Sequence, residues 1–400
     1  MSGPLNLFSE QGRVHGEARY MAPLLETMSA QASEADRTRS LSPDLIREIK
    51  KTDLMRMSAT PNISGLGESV VAMADELRAV AAHCTSTAWC LWNHLCVFHH
   101  FAGVLGPDNA DMLSEAVSKR QWFCFPAGAS SQVSGLTKGD STVLEGVAAF
   151  GSGGRYADWA GVVFKAEDDD VPRFALADLH HPQVRIDPTW DAMSLRASAT
   201  DHIHYEGVDV PTDGVVAWPP MYRVKFRDPD HPMIHHRYRE DWVGLSVVWL
   251  GAMATGLAEV CLDETALGIR DRIAIMGTKM VDRPTIHVNL GRARALIEAA
   301  TDTVYAAMAE TDARIAAEVM PTEGDYFRQT SAGMQAVHLC DEAMKLILRV
   351  LGGNGLREGT VFERRYRDFQ AMPLHINGHI DRITEQLGRI QLGLEPQNPF

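Results

Sequence analysis

The spacing of apolar residues changes twice along this chain of 400 residues, and each change marks a change of secondary structure. Up to about residue 118, apolar residues recur at intervals of three and four, which is the period of an amphipathic helix. From about residue 119 they occur in short runs broken by Gly, Pro and Asp, as in strands joined by turns. The helical period returns after residue 241. The pattern predicts helices, then strands over residues 120–217, then long helices.

Two local patterns support the helical assignments. Ser42-Pro43-Asp44 combines an N-cap residue, a proline at the first helical position and an acid in the first turn, so it predicts a helix that begins at Pro43. Near the C-terminus, a second predicted helix carries an apolar face. That face consists of Val337, Cys340, Met344, Ile347 and Leu351.

The order of the segments predicts an α+β protein in three parts. We expect an N-terminal helical domain over residues 1–118, a middle β-barrel or β-sandwich domain over residues 119–222, and a C-terminal helical domain over residues 223–400. A small β block cannot bury both of its faces alone. We therefore expect it to pack between the two helical parts.

Charge and apolar content exclude several functions. A formal net charge of −14 argues against nucleic acid as a partner, because that binding depends on clustered Lys and Arg. No stretch approaches the roughly 20 apolar residues that span a bilayer, so no membrane partner is expected. The first residues lack a basic region followed by an apolar segment, and we expect a cytoplasmic protein. The six cysteines are scattered, which indicates neither a disulfide framework nor a zinc site.

The most informative motif lies near the C-terminus. The chain reads Leu351-Gly352-Gly353-Asn354-Gly355-Leu356 and then Arg364-Arg365-Tyr366-Arg367-Asp368. Alone, the glycines indicate a helix C-cap with a tight turn. Followed by Tyr-Arg-Asp, the turn resembles the flavin-binding end of the acyl-CoA dehydrogenase superfamily, where backbone amides approach the cofactor diphosphate. The resemblance assigns Gly352 and Gly353 to cofactor binding and implies an acyl-CoA dehydrogenase-like fold with a C-terminal four-helix bundle.

The segment after this motif separates two branches of the superfamily. Its dehydrogenases place a glutamate close after the Arg-Asp pair, where it abstracts the substrate proton. Residues 372–378 of this chain contain no carboxylate and carry His375 instead. In this respect the chain is similar to the flavin-dependent monooxygenases of two-component systems, such as the 4-hydroxyphenylacetate hydroxylases and dibenzothiophene monooxygenases.

Two stretches of the β block extend the resemblance. Residues 150–159 are similar, without gaps, to a dehydrogenase stretch in which a threonine hydroxyl sits near flavin N5 and O4, and Ser152 falls on that threonine. Residues 122–128 are similar to the strand and turn that cover the isoalloxazine ring. The flavin-binding residues implied in this block are Phe123, Cys124, Phe150 and Ser152.

The C-terminal part departs from the superfamily pattern at two positions. The diphosphate-binding arginine lies one position off, at Arg272, and the expected glutamine is Pro284. Both FMN and FAD are therefore candidate cofactors. The superfamily assembles as dimers or tetramers whose flavin site a neighbour completes, which implies a homotetramer or homodimer here.

Histidine suits the chemistry that the resemblance implies. Reduced flavin reacts with O2 to give a C4a-hydroperoxyflavin, and the protein must exclude water and present a proton donor so that oxygen reaches the substrate. We expect His375 and His94 to handle protons, because a histidine of the matching N-terminal helix lines the substrate pocket in the similar monooxygenases. His94, His99 and His100 cannot all face inward at helical spacing, so His99 or His100 is expected at the surface or an interface.

The sequence therefore predicts the oxygenase component of a two-component flavin-dependent monooxygenase. It would take reduced FMN or FAD from a flavin reductase and use O2 to oxygenate a small apolar, aromatic or polycyclic substrate. One alternative is an FAD dehydrogenase or oxidase of acyl-CoA dehydrogenase type, and another is a non-catalytic flavin-binding or ligand-binding oligomeric scaffold. No metal site is expected, since the pairs His180-His181 and His235-His236 lack further ligands and should face solvent.

Overall fold

The computed structural model describes residues 14–128, 131–166, 169–218, 228–274 and 277–397. Within these residues, helices precede strands and strands precede helices, in the order that the sequence predicts. The first 13 residues, which bear on the predicted cytoplasmic location, lie outside the described part of the chain.

The N-terminal part is helical. Its helices are α1 (Leu25–Thr38), α2 (Pro43–Lys51), α3 (Val70–His83), α4 (Thr85–Leu105) and α5 (Ala110–Ser118). The predicted start of α2 is confirmed, since Ser42 Oγ accepts a hydrogen bond from the Leu45 backbone N–H at 3.2 Å. Helix α4 is buried on all sides because it packs against α3, α6, α9 and the first strand.

The middle part is one mixed sheet. Its strands are β1 (Phe123–Cys124), β2 (Gln132–Lys138), β3 (Ser141–Gly151), β4 (Trp159–Ala166), β5 (Asp169–Asp178), β6 (Val184–Asp187), β7 (Asp201–Pro211) and β8 (Val216–Ala217). The strand order is β6-β7-β3-β2-β4-β5-β8, with β1 paired to β4. The β1–β4 and β2–β4 pairs are parallel and the other pairs are antiparallel.

The C-terminal part returns to helices. They are α6 (Trp242–Gly268), α7 (Pro284–Ala316), α8 (Glu323–Leu351), α9 (Val361–Phe369), α10 (Ala371–Leu374) and α11 (Ile380–Gln391). Helices α6, α7 and α8 pack along one another. Gly333 lets α8 approach α6 closely, because a Cβ there would lie 2.3 Å from the Val247 carbonyl oxygen. The apolar face predicted on α8 is buried except for the partly exposed Leu351.

Helix α6 corrects one expectation. By length and composition it is long and apolar enough to cross a membrane, whereas the sequence was expected to hold no such stretch. In its most apolar window, 89% of the residues are buried inside the protein. Packing against α3, α7 and α8 accounts for this composition, because a core helix is apolar on every side.

Candidate active site

Two tryptophans of α4 bring the predicted His375 into contact with the N-terminal part. The ring centroids of Trp89 and His375 lie 5.1 Å apart, and those of Trp92 and His375 lie 5.2 Å apart. Both pairs are nearly perpendicular, with interplanar angles of 85° and 82°. The two indole rings, spaced three residues apart on α4, also contact each other with centroids 4.8 Å apart, so the imidazole that follows α10 packs against this indole pair from one side.

The same helix reaches the hydroxyl group predicted to lie near the flavin. Trp89 Nε1 donates a hydrogen bond to Ser152 Oγ at 3.2 Å. The Ser152 hydroxyl also bonds to the Thr200 hydroxyl at 3.0 Å, and Thr200 bonds to Ser198 at 2.8 Å. Trp89 thus joins Ser152 and His375 in one site. Trp89 was not among the residues that the sequence predicted for the site.

Backbone strain surrounds this hydroxyl network. Phe150, Leu195 and Ala199 have positive φ values of 61°, 49° and 46°. Such a conformation costs a non-glycine residue on the order of 1–3 kcal/mol and tends to occur at functional sites. The Leu195 N–H donates to Asp368 Oδ1 at 2.6 Å, so the aspartate of the C-terminal motif holds one strained turn in place.

His375 is a neutral imidazole at pH 7. Burial, with a smaller effect from Arg382, lowers its pKa to about 4. Its Nδ1 accepts a hydrogen bond from the backbone N–H of Asn377 at 3.1 Å. In the folded protein this group therefore offers a hydrogen-bond donor instead of a positive charge.

Both ring nitrogens of His94 are bonded to the protein backbone. Its Nδ1 accepts from the Phe123 N–H at 3.1 Å, and its Nε2 lies 3.2 Å from the Met55 carbonyl oxygen, to which it donates. Burial lowers the His94 pKa to about 4. These bonds tie β1 to the turn that follows α2, and any proton transfer through His94 would break one of them. The proton-handling role of His94 stays a prediction.

The expectation that His99 or His100 lies at the surface or an interface is corrected. Their exposed fractions are 2% and 3%. His99 Nε2 donates to the Glu240 carbonyl oxygen at 3.0 Å, while the His100 ring stacks on Trp242 with centroids 4.6 Å apart. Neighbouring elements cover every face of α4, so helical spacing does not direct either ring to solvent.

The paired histidines outside α4 are only partly solvent-facing. His180 is exposed and pairs with Asp158 at 2.9 Å, whereas His181, His235 and His236 are partly buried. Within the described residues, no group of three or more His, Cys, Asp or Glu side chains is arranged to hold a metal ion.

Two further predicted flavin contacts are enclosed by protein. Phe123 and Cys124 of β1 are both 0% exposed, and the Phe123 ring packs against Phe98 at 5.2 Å. Phe150 differs because its large apolar side chain is 51% exposed beside the Ser152 turn. A direct flavin contact therefore suits Phe150, while contacts by the two β1 side chains stay predictions.

Arg272 and the paired glycines form a second cluster. Arg272 Nη1 donates a long hydrogen bond of 3.5 Å to the carbonyl oxygen of Leu351, the residue before Gly352. Arg272 also lines a cavity of about 180 Å³ together with Leu351 and Arg365. Apart from the adjoining residues, no atom of the described part of the chain lies within 4 Å of a Cβ built on Gly352 or Gly353. Packing within the described chain therefore does not require Gly353, and its backbone is open to a ligand.

These two clusters fit a flavin. The first offers an exposed aromatic ring at Phe150, a hydroxyl group at Ser152 and a neutral imidazole donor at His375. The second offers an arginine beside open glycine backbone, which suits a phosphate group.

Comparison with known proteins agrees with this assignment. Residues 248–379 match the family described as acyl-CoA dehydrogenase, C-terminal domain. A relative from Rhodococcus jostii (strain RHA1), the oxygenase subunit HsaA of a flavin-dependent monooxygenase, is 25% identical over 93% of this chain and 97% of its own length. The predicted resemblance to this superfamily is confirmed.

Solved structures share the fold over nearly the whole chain. XiaF from a Streptomyces species, in complex with FADH2 and glycerol, has a TM-score of 0.84 at 20% identity and covers 95% of this chain and 96% of its own. The dibenzothiophene monooxygenase TdsC from Paenibacillus sp. A11-2 has a TM-score of 0.82 at 18% identity and covers 95% of this chain and 98% of its own. The predicted α+β, acyl-CoA dehydrogenase-like fold is thereby confirmed.

Proposed function

We propose that this chain, which has the acyl-CoA dehydrogenase fold, is the oxygenase component of a two-component flavin-dependent monooxygenase. It takes reduced FMN or FAD from a separate flavin reductase and uses O2 to oxygenate a small apolar, aromatic or polycyclic molecule. The observation that carries the proposal is the neutral imidazole of His375, packed against the Trp89–Trp92 pair in the segment where the similar dehydrogenases carry a glutamate.

Reduced flavin, when bound, supplies the electrons that activate O2. His375 keeps a proton on Nε2 at neutral pH, because Nδ1 is occupied as an acceptor, and it presents that proton without adding charge to the site. Trp89 and Trp92 cover one side of the imidazole and exclude water there. The hydroxyl of Ser152, which is fixed by Trp89 and Thr200, orients the polar edge of the flavin ring.

The remaining parts of the proposal concern cofactor phosphate and assembly. Arg272, Gly352 and Gly353 hold the diphosphate when the cofactor is FAD, since an arginine lies next to backbone that packing leaves open. The enzyme is cytoplasmic and forms a homotetramer or a homodimer. His94 serves this site by positioning β1 through its two backbone bonds.

The geometry disfavours the dehydrogenase or oxidase alternative. Among the described residues, the imidazole of His375 is in ring or hydrogen-bond contact with Trp89, Trp92 and the backbone N–H of Asn377, and none of these residues is a carboxylic acid. A non-catalytic scaffold would not need the strained turn at Phe150, nor the buried Trp89 N–H that donates to Ser152 in that turn.

Isotope incorporation separates these possibilities. The protein is supplied with chemically reduced FMN or FAD, 18O2 and a panel of phenols and polycyclic aromatics, and products are analysed by mass spectrometry. A monooxygenase places one 18O atom in a product. Formation of hydrogen peroxide alone with every substrate indicates an oxidase or a scaffold, and reduction of a dye acceptor by an acyl thioester indicates a dehydrogenase.

A further inference from the structure

A closed circuit of contacts runs from the imidazole of His375 through Asn377, Ser246 and Trp92 back to the imidazole. The Asn377 backbone N–H donates to His375 Nδ1 at 3.1 Å, and the Asn377 side-chain amide donates to Ser246 Oγ on α6 at 2.6 Å. The Ser246 carbonyl oxygen accepts from Trp92 Nε1 at 2.8 Å, and the Trp92 ring meets the His375 ring at 5.2 Å. Two helices from different parts of the fold thus hold one side chain.

The first of these bonds determines where the imidazole proton lies. A neutral imidazole has one N–H donor and one acceptor nitrogen. Because His375 Nδ1 accepts from a backbone N–H, the proton lies on Nε2. Among the described residues, none accepts a hydrogen bond from this Nε2, so its N–H is available to a molecule outside the chain.

The Asn377 side chain ties the turn after α10 to α6. Asn377 is 5% exposed, whereas its neighbours Leu374 and Ile376 are 74% and 49% exposed. Gly378 closes the turn, because a Cβ there would lie 1.9 Å from the Met372 carbonyl oxygen. The exposed apolar side chains on either side of His375 therefore do not hold this turn, whereas the buried side-chain amide of Asn377 ties it to α6.

We propose that Asn377, anchored by Ser246, is a positioning residue that fixes the ring orientation and the Nε2–H tautomer of His375. The role of this Nε2–H donor rests on the proposed function, since it requires a bound flavin that reacts with O2. The tautomer itself is a property of this chain alone. Loss of the anchor lets the ring rotate and the proton move between the two nitrogens, and the directed donor is lost.

The tautomer is measured without flavin. Full-length protein labelled with 15N-histidine is studied by NMR at pH 7.5, and the His375 signals are assigned by their absence in His375→Gln. We expect Nε2 to show the shift of a protonated nitrogen and Nδ1 that of an acceptor. A protonated Nδ1 in the wild-type protein overturns the proposal.

Two substitutions test the anchor. Asn377→Ala and Ser246→Ala should lose the single tautomer and raise the share of flavin electrons that end as hydrogen peroxide. Ser246→Thr keeps the hydroxyl, so it should show the single tautomer and the peroxide yield of the wild type. Asn289→Ala, which removes an amide bonded only to the Thr285 carbonyl of its own helix, is the matched control and should change neither readout.

The results also separate this proposal from the proposed function. An unchanged tautomer in both alanine variants, with thermal melting like that of the wild type, overturns the positioning role. A single Nε2–H tautomer that the alanine variants lose supports it even when no substrate is oxygenated, and in that case only the proposed function fails.

Discussion

The indole N–H of Trp89 donates a hydrogen bond to the hydroxyl of Ser152 at 3.2 Å. The ring of the same tryptophan lies edge-on to His375, so one side chain of α4 connects the hydroxyl of the β part with the imidazole of the C-terminal part. Residues that share a partner in this way respond to substitution as a unit, and their effects should not add.

Ser152→Ala should weaken the binding of reduced flavin. The substitution removes the hydroxyl that orients the ring, and a hydrogen bond of this kind contributes about 1 kcal/mol, or roughly fivefold in the dissociation constant. Anaerobic titration with reduced FMN and FAD measures the change. Ser152→Thr should bind like the wild type. Ser118→Ala, a surface control whose hydroxyl bonds to the Glu115 carbonyl, should also be unaffected. Equal affinity in the Ser152 and Ser118 alanine variants would refute the flavin contact.

His94→Ala should destabilise the fold. It leaves the Phe123 N–H and the Met55 carbonyl oxygen buried without a partner, and each such group costs about 1–3 kcal/mol, so we expect a loss of about 3 kcal/mol. Urea unfolding measures the loss. His287→Ala, which removes an exposed ring, should stay within about 0.5 kcal/mol of the wild type.

A different result would give His94 another role. If His94→Ala is as stable as the wild type and binds flavin but no longer oxygenates substrate, the positioning role is contradicted. That result would support proton handling by His94.

The free energy of unfolding should fall as the pH falls below about 6.5. Burial lowers the pKa of His94 and His375 to about 4 and that of His99 and His100 to about 3. Between those values and 6.5 the unfolded chain binds more protons than the folded chain, so acid favours unfolding by on the order of 1 kcal/mol per histidine and pH unit.

Four carboxyl groups of the described chain oppose this trend because burial raises their pKa: Asp75, Glu76, Asp312 and, with the largest shift, Asp368. Burial raises the Asp368 pKa to about 7, so the contribution of this group to the free energy of unfolding rises as the pH falls from about 7 towards 4. The combined effect of the four histidines on the free energy of unfolding is larger than that of these carboxyl groups. Urea unfolding at pH 7.5 and pH 5.5 gives the comparison, and greater stability at pH 5.5 would show that the histidines are not held neutral.

Arg272→Ala should discriminate between the two cofactors. FAD carries a diphosphate and an adenosine that FMN lacks, so loss of a diphosphate contact should weaken FAD by roughly tenfold and leave FMN nearly unchanged. Isothermal titration with each reduced cofactor tests this, with Arg357→Ala as an exposed arginine control near the same turn. Equal weakening of FMN and FAD would place Arg272 on a phosphate that both share, and no change in either would remove it from the site.

The order of helices and strands was predictable because it follows from local periodicity and caps. Ser42 begins α2 as expected, and the apolar face of α8 is buried. The burial of His99 and His100 was not predictable in this way, because it depends on elements distant in sequence that cover α4 on every side.

The candidate site was predictable in part. Resemblance identified Ser152 and His375 as important, but the link through Trp89 depends on packing between three parts of the chain. The lowered pKa of His375 likewise results from tertiary burial, which no local pattern encodes.

Reaction with oxygen tests the central claim most directly. The protein, premixed anaerobically with reduced FMN or FAD, is mixed rapidly with oxygenated buffer and followed by absorbance. We predict a long-lived species distinct from both reduced and oxidised flavin, which decays much faster in His375→Ala than in the exposed control His379→Ala. Immediate return to oxidised flavin in the wild-type protein with both cofactors would contradict the account.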